Sequence, residues 1–131
     1  MAGSFSDYLE NELLDHVFKV GAYTPATNLY VGLYTVAPTD AGGGTEVSGN
    51  NYARVNHNDW NTAASGATSN DGAVTFPQAS GGNWGTVVAV GIFDAATAGN
   101  LLAWGDLTAS KSVDDGDTAE FGDEEIDITL D

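Results

Sequence analysis

The chain has 131 residues, the length of one domain, and nineteen Asp and Glu against three Lys and Arg give it a formal net charge of −16. That balance excludes recognition of nucleic-acid phosphates and disfavours anionic membrane surfaces, since both depend on Lys and Arg. Cysteine is absent, which excludes a disulfide framework, a thiolate metal site and a cysteine nucleophile, while 42% hydrophobic residues with three Trp argue against global disorder.

The N-terminal stretch MAGSFSDYLENELLDH has no basic segment followed by an apolar run, so it does not read as a secretory signal. Its Leu9, Leu13, Leu14, Val17 and Phe18 recur at helical spacing and predict one helix over about residues 5–19. Ser4 or Ser6 serves as the cap, Asp7 and Glu10 suit the positive end of the dipole, and Lys19 followed by Gly21 suits the other. The apolar stripe is broad, as expected of a helix with two surfaces to bury.

From residue 28 onward the pattern is that of strands. NLYVGLYTV (28–36) is rich in Tyr and Val and sets Leu29, Val31 and Leu33 on one side. PTDAGGGTEVSGN (38–50) reads as a long loop, and YARV (52–55) as a short strand. A Ser/Ala/Asn/Gly loop leads to AVTFP (73–77), a strand that Pro77 ends. TVVAVGIFD (86–94) reads as a buried central strand, and DAATAGN turns it into LLAWGDLT (101–108), forming a hairpin. No run of about 20 apolar residues occurs that would span a membrane.

The last nineteen residues, 113–131, carry nine acids and no base. Even so, Ala119 and Phe121 alternate against Thr118 and Glu120. Ile126, Ile128 and Leu130 alternate against Glu125, Asp127, Thr129 and Asp131. That period of two predicts a half-buried antiparallel strand pair turning through FGDEE, not a disordered tail. The expected architecture is mainly β: an antiparallel β-sandwich of roughly 7–9 short strands with one N-terminal α-helix. It forms a single domain over 1–131, with the helix in 1–20 and the sandwich in 28–131.

Motifs for chemistry are missing. Asp115 and Asp117 begin a calcium-loop pattern that Ala119 breaks, so Asp114, Asp115 and Asp117 offer at most a loose hold on a hard cation. No cofactor is expected beyond loosely bound Na, K, Mg or Ca ions. His16 and His57 are isolated, although Asp59 near His57 allows a local pair, and no HExxH, GxSxG or P-loop occurs. Arg54, the sole arginine, is expected to anchor a structural ion pair. No catalytic residue is nominated, and no enzymatic activity is expected.

Acids spread from Asp7 to Asp131, with Asp outnumbering Glu, would repel one another in dilute buffer. At 1 M salt the screening length falls to about 3 Å, which nearly abolishes that repulsion. The charge is therefore expected of a protein working in brine, against the plainer readings of a mesophilic acidic protein or a divalent-ion binder.

A family resemblance covers almost the whole length. SDYLENELLDH, LYVGLYT, PTDAGGGTEVSG, YARV, VTFP, WGTV, GIFDAATAGNLLAWG, LTASKSV, GDT and ITL, in this order, resemble the small tailed-phage structural proteins usually labelled "phage tail fibre protein". The resemblance implies a virion component without enzymatic activity, on the head or tail surface as a decoration, turret or fibre element. It carries over no catalytic or binding residues. Joined to the acid surplus, it points to a tailed virus of halophilic archaea assembled in the host cytoplasm. Expected partners are the chain itself as a symmetric homo-oligomer, other virion proteins and the host surface. Leu9, Leu13, Val17, Phe18, Tyr30 and Tyr34 are the expected assembly contacts. The competing readings are a carbohydrate- or host-surface-binding module, with exposed tryptophans as its platform, and a hydrolase with an unrecognised carboxylate pair.

Overall fold

The computed structural model describes residues 2–130 and is mainly β with one helix. In chain order it contains β1 (Ala2–Phe5), α1 (Asp7–Val17), β2 (Tyr30–Val36), β3 (Thr45–Glu46), β4 (Val55–Asn56) and β5 (Ala67–Ser69). β6 (Val74–Thr75), β7 (Gly85–Phe93), β8 (Leu101–Val113), β9 (Glu120–Phe121) and β10 (Asp127–Thr129) follow. Asp131, assigned above to the polar phase of the tail, lies outside the described residues.

The main antiparallel sheet runs β1-β8-β7-β2-β3, with β4 on the same edge of β2 as β3. β7 is the central strand expected, and it forms the expected hairpin with β8. Between β3 and β4 the β2 edge has a gap. The Tyr52 hydroxyl fills it by accepting the Leu33 N–H at 2.9 Å, while the Val47 N–H donates to the Leu33 carbonyl at 2.9 Å. No buried backbone group of Leu33 is left unpaired, as burial demands.

Two short ribbons, β5–β10 and β6–β9, lie over one face of this sheet in a sandwich-like arrangement. Val31, Leu33, Val90 and Ile92 of the sheet pack there with Val74, Phe76 and Ile126 of the second layer. Burying each such side chain contributes roughly 1.5–3 kcal/mol, so this layer contact dominates the stability of the fold.

Several expectations need correction. The tail strands β9 and β10 do not pair with each other: β9 pairs with β6 and β10 with β5. The cause is Asn70, which is fully buried between them. Its Nδ2 donates to Gly72 O at 2.7 Å and Gly122 O at 2.9 Å, and its Oδ1 accepts the Ile126 N–H at 2.8 Å. The FGDEE turn is thereby tied to the β5–β6 connection. Ile126 is buried and Ile128 half-buried, but Leu130 is exposed. YARV supplies a strand only at Val55–Asn56, because Tyr52 and Arg54 are committed to side-chain roles. β8 continues five residues past its expected end at Thr108, and the 38–50 loop and the Ser/Ala/Asn/Gly loop ahead of residue 73 hold β3 and β5. β1, ahead of the helix, has no counterpart in the sequence reading. Its four residues are too few to show a period.

Candidate assembly surface

Helix α1 forms inside the expected 5–19 span, two residues shorter at each end, with Ser6 of the two candidate serines as its cap. Ser6 Oγ accepts the Leu9 N–H at 3.2 Å and also donates to the Leu101 carbonyl at 2.5 Å, so one hydroxyl caps the helix and fixes it to β8. The Ser6 and Asp7 N–H groups donate to Leu102 O and Asp40 O, both at 2.8 Å. Asp40 also accepts hydrogen bonds from the Ser4 hydroxyl and from Trp104 Nε1, the latter at 2.9 Å. These two bonds hold its carboxyl below the usual carboxylate range.

Beyond this anchor the helix is thinly packed. Leu9 is buried and Leu13 half-buried, whereas Leu14, Val17 and Phe18 face solvent with Val20 just beyond them. Of the six expected assembly contacts, Leu9 and Tyr34 are consumed inside the chain. Leu13, Val17, Phe18 and Tyr30 keep exposed surface to different degrees. The helix and strand residues do not form one patch: Tyr30 and Tyr34 belong to a small cluster with Ala89 and Phe93 on the sheet face opposite the ribbons.

That second face rests on two glycines. Gly32 and Gly91 stand opposite each other in register, and a Cβ on Gly91 would lie 2.8 Å from Tyr34 Cε2 and 3.1 Å from Phe93 Cε2. Their bareness lets the Tyr34 and Phe93 rings stack over the sheet at 6.1 Å. The repeated pattern VGLY (31–34) and VGIF (90–93) carried this signal in the sequence. Arg54 closes the cluster as the structural anchor expected. Its Nε lies 2.8 Å from Glu46 Oε2, its guanidinium lies 3.5 Å from the Phe93 ring centre, and Nη1 donates to Ala95 O and Ala98 O at 2.8 Å. Burial pushes the Tyr34 hydroxyl up to about 12.

The residues weighed for chemistry are not assembled into a site. Asp114, Asp115 and Asp117 are exposed, and the Asp117 carboxylate is engaged by the Asp114 N–H at 2.9 Å. Among the described residues no group of three or more His, Cys, Asp or Glu is placed to hold a metal. His57 packs edge-on against Trp60, with no hydrogen bond to Asp59 among the described residues. His16 Nδ1 accepts the Tyr23 N–H at 3.1 Å. All three indoles donate inside the chain: Trp60 to His57 O, Trp84 to Asn50 O and Trp104 to Asp40. Trp84 is buried in the core and gives no exposed platform.

A different surface escaped the sequence reading. Residues 107–110 of β8 stand opposite the single Val88, since Asp106 pairs with Ala89 and Lys111 with Val87. The bulge opens hollows between β8 and β9, floored by Leu107 and Phe121 and rimmed by Lys111, Glu120 and Glu125.

The model of the family described as podophage GP4 fiber I protein gp80 matches residues 4–129. The chain belongs to this family. The match takes in the helix, most of the main sheet and both ribbons. It also bears out the phage-fibre resemblance read from the ordered motifs between SDYLENELLDH and ITL. A fibre family is structural, consistent with the non-enzymatic reading. No curated protein matches the chain.

Proposed function

We propose that this fiber I family member is a non-enzymatic structural protein of a tailed virus, assembled in the host cytoplasm into a homo-oligomeric fibre, turret or decoration element on the virion surface. The observation that carries the reading is the family match over residues 4–129, and an exposed apolar helix end on an otherwise acidic surface supports it. A contiguous apolar patch on a soluble chain marks a contact site. Net charge of −16 supports a host living in brine, where the repulsion between closely packed copies is screened.

The experiment is immunogold labelling of intact particles with antibody to this chain. Label at regular positions on the head or tail is expected. Particles that carry none, while the protein remains abundant in infected cells, would overturn the structural role. Haloarchaeal origin is tested separately, by whether particles bearing the protein form on a haloarchaeal host.

A further inference from the structure

The two ends of β8 carry unlike surfaces. At its start Ser6 bonds to Leu101 and Leu102, which places α1 beside the β7–β8 turn. The β8–β9 groove lies at the other end. Phe93, opposite Leu101, and Val87, opposite Lys111, are six residues apart on β7, a span of about 20 Å.

The helix end exposes 56% of Leu14, 60% of Val17, 71% of Phe18 and 77% of Val20, with Lys19 among them. Lys19 and Lys111 are the basic residues left after Arg54 pairs with Glu46. The groove has the opposite character: a Leu107 and Phe121 floor under Glu120 and Glu125, with Lys111 as its one base. The Thr75 hydroxyl, donating to Glu120 Oε2 at 2.6 Å, holds that carboxylate on the rim. Pairing two helix ends across a two-fold axis would bury Phe18 against Phe18 and leave the groove uncovered. Knob against groove instead matches apolar with apolar and base with acid.

We propose that copies of this chain assemble head to tail, the Phe18 end of α1 in one copy seating in the Leu107–Phe121 groove of the next, with Lys19 against Glu120. Because the two surfaces differ, one on the helix anchored at the start of β8 and one beside its later half, the contact is heterologous and repeats, closing into a ring or growing into a filament. The inference rests on the assembly reading above and names its contact.

The test is sedimentation equilibrium of the full chain in molar salt, with particle incorporation as a second readout. The wild type is expected to gain mass beyond the dimer with concentration. Phe18→Ser, at an exposed position, raises the dissociation constant about tenfold or more. At the lowest salt in which the chain stays folded, Lys19→Glu and Glu120→Lys each weaken association by about twofold to fivefold, and the two together restore it. Ala109→Trp blocks the groove at another exposed site, and its equimolar mixture with Phe18→Ser stops at a dimer. A monomer at every concentration, silent single variants or a double variant without rescue would each overturn the contact. Particles that still incorporate Phe18→Ser normally would remove the contact and leave the structural role standing. Head-to-tail association of a protein missing from particles would do the reverse.

Discussion

Asn70 shows how one buried side chain redirects a chain segment. Its amide stands in for backbone partners of Ile126, which is buried, and of Gly72 and Gly122, which are half-buried. Removing it leaves these groups unpaired, at about 1–3 kcal/mol for each one that finds no substitute. Asn70→Ala is therefore expected to lose about 3 kcal/mol in chemical denaturation; a loss below about 1 kcal/mol would show that the clamp is dispensable. Tyr34 sets a limit at the alkaline side. Burial raises its hydroxyl from 10.0 to about 12, with Glu46 adding to the shift and Arg54 opposing it. Below pH 10 both folded and unfolded states keep the proton, so the contribution is fully present. As pH rises from 10.0 towards about 12 the unfolded chain releases its proton first, and stability falls. Tyr34→Phe is expected to make unfolding by denaturant less steeply dependent on pH across that window; an unchanged slope would contradict the assignment. Asn70 left no trace in the sequence because an Asn in a Ser/Asn/Gly loop looks like any other turn residue.

Among the elements, α1 is held mainly at its first turn. Ser6 supplies both the cap and the tie to β8, so Ser6→Ala should cost about 1–2 kcal/mol and raise amide exchange across Asp7–Val17 before the main sheet is affected. Equal exchange in helix and sheet after this change would mean that the helix is fixed elsewhere. β2, β7 and the start of β8 were legible because each is long enough to display its period. The two- and three-residue strands were not. Their alternation told which side chains face inward, but backbone hydrogen bonds look alike for every residue, so nothing in β9 or β10 names a partner strand. The β8 bulge was equally hidden. LTASKSV reads as a polar run leaving a strand, and only its pairing with β7 shows that four residues stand opposite one.

For the whole molecule, charge is the governing quantity. Among the described residues the single ion pair, Arg54–Glu46, offsets little of the net −16. Screening should therefore stabilise the fold. The thermal midpoint is expected to rise steadily between about 0.1 M and about 3 M KCl, since the screening length shrinks from about 10 Å to below about 3 Å. A midpoint that falls with added KCl would count against adaptation to brine. The same screening governs assembly, because two copies of this charge approach closely only when their fields are short-ranged.

The sequence alone determined the class of fold, the helix with a serine cap at Ser4 or Ser6, the central hairpin and the acid surplus. These follow from local period and composition, which every residue carries with it. It also held the phage-fibre resemblance, in motifs whose order runs the length of the chain. Tertiary structure decided which short strands pair, that Asn70 splits the acidic tail between two ribbons, and that the helix leaves Phe18 uncovered while β8 opens a groove at its far end. Each of these depends on contacts between residues distant in the chain. Such contacts are set by how the layers pack, and no local period records them.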